Sequence, residues 1–266
     1  AGVSIDSRKV QPKDIFIAFR GSRVDGHCYV ADAFEKGAAA AIVERKIDGL
    51  SEESPVLIVA NVQKALVQIA CLARKRSEAK FVAVTGSVGK TSSKNLLAKA
   101  LAQFDSVHAT IGNLNNHIGA PLSLARLNGS SRFAVFELGM NNTGEIAFLS
   151  NLIRPKVALI TNVHGVHLEQ LKTERAIAEA KAEIFNGLSE NGSVVLNQDN
   201  PWIDFLKSRA EKKGIKNIIT FGEDKKSDLQ LLEWQPGEGK SFVKIQLKNE
   251  THQYVLSETG KHRALN

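Results

Sequence analysis

Cysteine is scarce in this 266-residue chain: Cys28 and Cys71 are too few for a disulfide framework, which excludes the disulfide-stapled secreted class and points to a reducing cytoplasm. Long apolar runs are missing too. None approaches the ~20 residues that span a bilayer, and no secretory leader is legible, so membrane insertion is not expected. Aromatic residues make up only 6%, and none interleaves with the densest basic cluster, Arg74, Lys75 and Arg76. Without stacking side chains, the excess of 35 Lys and Arg over 28 Asp and Glu reads as a solvated surface or a site for a small polyanion rather than for nucleic acid. Repeats and low-complexity segments are absent. An opening methionine is also lacking, and the chain starts in what reads as mid-domain sequence, so a piece of a longer protein is expected.

What the chain does have is FVAVTGSVGKTS (81–92). An apolar strand runs into a glycine turn, then Lys90 and Thr91, then a helical pattern over 93–103. The physical reading is a phosphate cradle. Glycines let backbone N–H groups approach an anion, and the following helix N-terminus adds partial positive charge. Lys90 would reach the outer phosphates and the Thr91 hydroxyl would face Mg²⁺. The spacing is unusual: two residues separate Gly86 from Gly89, and Val84 stands where the standard signature has its outer glycine. The competing reading is an ordinary glycine-rich turn before a lysine.

Around this stretch the pattern is α/β. Strands are expected at 15–19, 39–43 and 56–59, with a helix over 30–35 closed by Gly37. A second helix, over 62–76, carries an apolar stripe of Ala65, Leu66, Ile69, Leu72 and Ala73. The charged segment 74–80 marks the best boundary, dividing the chain into domains 1–78 and 79–266. Beyond it, strands at 133–138, 157–161, 193–196 and 218–221 alternate with helices at 145–152, 174–188 and after Pro201, which argues for a mostly parallel sheet covered on both faces. After Asp228 come strand-like segments 241–247 and 253–256 with no helix between them.

Four features could carry chemistry. Glu137 ends an apolar strand, where a carboxylate is costly unless paired or bound to metal, and ligands of open α/β sheets sit at such strand ends. The alternative is a carboxylate facing solvent. His164 and His167 follow the next strand, and the residues alone do not choose between them as metal ligands. Lys181 falls on the apolar stripe of its helix with Ile177, Ile184, Phe185 and Leu188. Either its stem is buried and the ammonium snorkels, or the desolvated amine has a lowered pKa and is catalytic or modified. The loop from Gly112 to Leu122 carries Asn113, Asn115 and Asn116 into a helix with Pro121 in its first turn. It reads as a second anion or sugar site, or as a plain capping loop.

Together these pieces resemble the Mur ligase family of ATP-dependent amide-forming enzymes. The matching segments are DSRKVQPKDIFIAFRGSRVDGH (6–27), TGSVGKT (85–91), GNLNNHIGAPLSLARL (112–127), FELGMNNTGEIAFL (136–149), ALITNVHGVHLEQL (158–171) and IAEAKAEIF (177–185), covering nearly the whole chain. The resemblance implies a small N-terminal α/β UDP-binding domain followed by an incomplete P-loop ATPase domain. It implies that Thr85, Gly86, Ser87, Val88, Gly89, Lys90 and Thr91 bind ATP, with Asn266 and His262 near the nucleotide. Mg²⁺ would be held by Thr91, Glu137, His167 rather than His164, and Lys181 as a carbamate; Lys90, Lys181 and His167 would be the catalytic set. Asp6, Ser7, Arg8, Asp25, Gly26 and His27 fall in the UDP-binding part, and Asn113, Asn115 and Asn116 in the substrate and phosphate region. The branch most resembled joins D-Ala-D-Ala to UDP-N-acetylmuramoyl-tripeptide, acts as a monomer, and completes its site with a further domain. Departures are Val88, where members adding a diamino acid carry Asn, and Val166, where the family has Asp. A ligase adding a single diamino acid, or a nucleotide-binding module without catalysis, are the alternatives.

Overall fold

The computed structural model describes residues 2–165, 173–257 and 259–265. They form two compact units: Ala1–Ser77 with Ile118–Gly129, and Glu78–His117 with Ser130–Asn266.

The first unit holds a four-stranded sheet in chain order, β1 (Val3–Ser4), β2 (Ile15–Ile17), β3 (Ala40–Val43) and β4 (Val56–Ile58), every pairing parallel. Parallel neighbours require crossovers, supplied in part by the helix Val30–Glu35. Phe16, Ala18, Val30, Ala33, Ala41 and Val43 pack into one buried cluster. The helix Val62–Arg76 starts where the Asn61 side chain accepts the Lys64 N–H. Its buried stripe is Val62, Leu66, Ala70 and Ala73, whereas Leu72 is 64% exposed. The stripe is thus turned from the expected one, because the surface it meets includes a helix from far along the chain. That helix, Gly119–Ala125, is buried at every position and packs on Val62–Arg76. A division at a single point in the sequence has no place for it.

The second unit is built on a nine-stranded sheet. Its strands are β5 (Lys80–Thr85), β6 (Val107–Ala109), β7 (Phe133–Glu137), β8 (Val157–Ile160), β9 (Ser193–Asn197), β10 (Asn217–Gly222), β11 (Leu229–Gly237), β12 (Lys240–Leu247) and β13 (Glu250–Leu256), in the order 13-12-11-10-9-8-5-7-6. Pairings from β6 to β11 are parallel and those of β11–β13 antiparallel. The central strands are near-continuous apolar runs because both faces are covered, and Phe81 of β5 stacks on Phe136 of β7. β5 lies between β7 and β8, so the chain leaves it to one side and later returns to the other. This reversal of strand order opens a crevice beyond the carboxyl end of β5, where open α/β sheets bind ligands.

Several elements differ from expectation. β6 and β11 are strands that periodicity did not reveal, β11 because a bulge between Leu231 and Glu233 shifts its alternation in mid-strand, with Pro236 and Gly237 at its end, where a sheet tolerates them. The helix expected over 174–188 is α-helical only over Glu174–Ala182 and then tightens to a 3₁₀ turn, Glu183–Gly187. The cause is packing. Ser150 of the helix Glu145–Ile153 donates to the Ile184 carbonyl and accepts the Gly187 N–H, and a Cβ on Gly187 would collide with the Ser150 backbone. Finally, the helix after the glycine turn starts at Lys90, not 93, with Gly89 in the left-handed region (φ 86°) as its N-cap. No helix among the described residues is long and apolar enough to cross a membrane.

Candidate active site

The stretch from Thr85 to Thr91 sits at the carboxyl end of β5 and turns into the helix Lys90–Leu101. The first N–H groups of that helix have no intrahelical partner and form the positive end of its dipole. Lys90 curls back: its Nζ donates to the carbonyls of Gly86 (2.8 Å) and Ser87 (3.2 Å). Burial lowers the pKa of this ammonium, and the Glu137 carboxylate partly offsets the effect.

Glu137 ends β7 beside the loop and is 2% exposed. A carboxylate so buried needs partners, and among the described residues it has two. Thr91 Oγ1 donates to Oε2 and Asn115 Nδ2 donates to Oε1, each at 2.8 Å. The solvent-facing alternative for Glu137 is therefore excluded. Asn115 is itself held tightly: its carbonyl accepts the Gly139 N–H, and a Cβ on Gly139 would lie 2.9 Å from its side chain. Thr85 Oγ1 donates to the Leu138 carbonyl, stitching the loop to the end of β7.

Lys181 is also 2% exposed, so its ammonium does not snorkel to water. Burial, reinforced by the positive charge of Lys90, pulls its pKa down to about 7. It shares with Lys90, Asn113, Asn115, Asn116 and Glu145 a hollow of about 240 Å³. On the other side of the loop, Val88, Gly89, Thr91, Ser92, Asn95 and Arg263 line a second hollow of about 420 Å³. The groove over β11–β13, about 400 Å³, is of similar size but is built on exposed strand faces away from every buried charge named above.

The residues expected to bind UDP lie in the first unit and are mostly committed to its fold. His27 is buried, and its Nε2 accepts the Glu44 N–H at 2.9 Å. The proton is therefore on Nδ1, which donates to Asp25 Oδ1 at 2.7 Å. With both ring nitrogens engaged, His27 has none left for a substrate. Gly26 packs against Phe19, whose carbonyl would lie 2.7 Å from an added Cβ. Ser7 is buried, whereas Arg8 is exposed and forms a two-pronged ion pair with Asp6, whose carboxyl it holds down at about 2. His167 and Asn266 lie outside the described residues.

Periodicity and motif reading missed Lys94, Thr110, Thr161 and Asn162. Lys94 is 2% exposed and gives its ammonium to the Thr110 carbonyl (2.7 Å) and the Gly112 carbonyl (3.4 Å). Its spacing of four from Lys90 was the available signal, since such residues share a helix face. Thr110 in turn accepts the Glu137 N–H through Oγ1 at 3.3 Å. For the others the spacing held no signal.

Known proteins match this arrangement along the whole chain. The family model of the Mur ligase middle domain matches residues 84–266, and that of the Mur ligase family, catalytic domain, matches residues 1–74. The UDP-N-acetylmuramoyl-tripeptide--D-alanyl-D-alanine ligase of Rickettsia prowazekii (strain Madrid E) is 37% identical, over 99% of this chain and 58% of its own length. The crystal structure of MurF from Acinetobacter baumannii superposes with a TM-score of 0.88 at 31% identity, over 99% of this chain and 56% of that one. MurF ligase from Thermotoga maritima in complex with ADP gives a TM-score of 0.85 at 29% identity, over 99% and 60%. The chain thus spans a little over half the length of the relatives it matches. With the middle-domain model matching more than half of its residues, the chain belongs to the Mur ligase family.

Proposed function

We propose that the chain is the substrate- and ATP-binding part of a cytoplasmic, ADP-forming ligase of peptidoglycan precursor synthesis that joins D-Ala-D-Ala to UDP-N-acetylmuramoyl-tripeptide. One observation carries the reading: Lys90, Thr91, Glu137, Asn115 and Lys181 converge beyond the carboxyl end of β5, at the reversal of strand order. The names borne by the relatives supply the acceptor.

In this reading ATP lies with its phosphates against the helix N-terminus at Lys90–Leu101. Lys90 leaves its carbonyl partners to neutralise charge on the transferring phosphoryl group. The tripeptide carboxylate attacks the γ-phosphorus and releases ADP, and the amine of D-Ala-D-Ala then displaces phosphate from the acyl carbon. The hydroxyl of Thr91 and the carboxylate of Glu137, 2.8 Å apart, are hard oxygen donors of the kind Mg²⁺ prefers. They would hold the metal together with His167 and a carbamylated Lys181, the two latter on family resemblance. When bound, Mg²⁺ supplies Lewis-acid neutralisation of phosphate charge. Asn115 fixes the rotamer of Glu137, and Asn113 and Asn116 face the same hollow. The low pKa of Lys181 supports the carbamate, because a neutral amine is the form that takes up CO₂. In the first unit, Arg8 is the exposed cation we assign to the UDP moiety.

The test is phosphate release by the full-length protein with ATP and UDP-N-acetylmuramoyl-tripeptide, comparing D-Ala-D-Ala with meso-diaminopimelate and lysine as acceptors. Turnover with D-Ala-D-Ala alone is expected, and a preference for either diamino acid would overturn the assignment. For Lys181, ¹³C-bicarbonate should yield a carbamate resonance that Lys181→Ala abolishes. Absence of that signal in the unmutated protein would remove the carbamate.

A further inference from the structure

Besides the Lys90 ammonium, which braces the Gly86 and Ser87 carbonyls, the glycine loop is held from outside. Val88 illustrates this: its side chain is 58% exposed and touches little, yet both polar groups of its backbone are taken. Its N–H donates to Asn162 Oδ1 at 2.9 Å, and its carbonyl accepts the Thr161 hydroxyl at 2.5 Å. One residue back, the Ser87 N–H donates to the Asn162 carbonyl at 3.0 Å, and the Ser87 hydroxyl donates to the His164 carbonyl at 2.9 Å. All four bonds go to the segment leaving β8, not to the loop's own strand or helix.

Gly86 shows how close this segment lies. Its φ of 153° is one that side chains rarely adopt, and a Cβ there would collide with Thr161 Oγ1. The glycine is thus required by Thr161 as well as by the turn. Thr161 is 1% exposed, so its hydroxyl has no water to turn to. A hydroxyl donates one proton, and the short bond to Val88 takes it, the Thr85 carbonyl lying farther off at 3.4 Å.

We propose that Thr161 and Asn162 are positioning residues for nucleotide binding. By holding both sides of the Val88 residue they set the peptide planes that enter Gly89, so that the N–H groups opening the helix Lys90–Leu101 face the phosphates before ATP arrives. Neither side chain contacts the nucleotide; each acts through the loop. This inference rests on the phosphate-binding role proposed above for that loop, but not on the identity of the acceptor amine.

The experiment measures ADP affinity by titration calorimetry on the full-length protein, alongside the melting midpoint without nucleotide. Thr161→Val removes the hydroxyl while keeping the shape, Thr161→Ser keeps the hydroxyl, and Asn162→Ala removes the acceptor. Losing one such bond is worth about 1 kcal/mol, so Thr161→Val and Asn162→Ala should each weaken ADP about fivefold, and Thr161→Ser should restore affinity to within about twofold. A merely structural role would lower the midpoint and leave the affinity of the folded fraction alone. Unchanged ADP affinity in both Thr161→Val and Asn162→Ala, or no rescue by Thr161→Ser, would overturn the proposal. If the unmutated protein failed to bind ADP, it is the phosphate-loop reading that would fall. Turnover with another acceptor, with ADP affinities behaving as stated, would instead sink only the assigned reaction.

Discussion

Lys181 is a cation held where a cation is costly, and that cost has a pH signature. An ordinary lysine titrates at 10.5, whereas burial and the Lys90 charge bring this one to about 7 in the folded state. Below pH 7 both the folded and unfolded forms carry the proton, and the folded form bears the full penalty. Between 7 and 10.5 only the unfolded form keeps it, so stability rises with pH across that window. Replacing Lys181 with Met should therefore stabilise the protein by a few kcal/mol at or below pH 7, with the gain vanishing near pH 10.5. Turnover should be lost at every pH. Chemical denaturation at several pH values checks the first part, and a gain that did not shrink with pH would refute it. Glu137 makes the opposite case, a buried carboxylate matched to two donors. Glu137→Gln keeps one acceptor oxygen but turns an NH₂ toward either Thr91 or Asn115. The Mg²⁺ concentration for half-maximal activity should rise about 10- to 100-fold while the protein stays folded. An unchanged Mg²⁺ titration would exclude Glu137 as a ligand.

At the scale of elements, the strand–turn–helix unit from Lys80 to Leu101 takes its shape partly from the segments packed against it. Gly86→Ala combines a forbidden φ with a collision against Thr161, so it should cost a few kcal/mol and abolish ADP binding. Gly49 is the control: its φ is also positive, at 79°, but an added Cβ meets nothing within 4 Å. Gly49→Ala should cost only about 1 kcal/mol and leave ADP affinity unchanged. Equal losses in the two variants would mean that φ alone, not Thr161, dictates Gly86. The order of this unit was legible beforehand, because apolar runs, glycines and helical periodicity are local signals. Less legible were β11, whose alternation shifts at the bulge between Leu231 and Glu233, and the 3₁₀ turn Glu183–Gly187, which forms to fit Ser150.

On the scale of the whole molecule, the first unit is discontinuous in sequence, borrowing Ile118–Gly129. A fragment ending at Ser77 would lack the helix Gly119–Ala125 and expose the face of Val62–Arg76 that this helix covers. Such a fragment should bind a hydrophobic dye and lack a cooperative thermal transition. A sharp transition with no dye binding would show that the borrowed helix is dispensable.

Local chemistry could be read without coordinates: the phosphate cradle, the carboxylate ending β7, and a lysine on the apolar stripe of its helix all follow from residue order and period. Folding in three dimensions decided which of these meet. It brought Asn115 to Glu137 and Lys181 to Lys90, and it consumed both nitrogens of His27 within the first unit. It also set Thr161 and Asn162 against the loop, where no spacing in the sequence pointed. The physical reason is that hydrogen-bond partners and desolvation depend on distances between segments far apart in the chain, and only the packed sheet sets those distances.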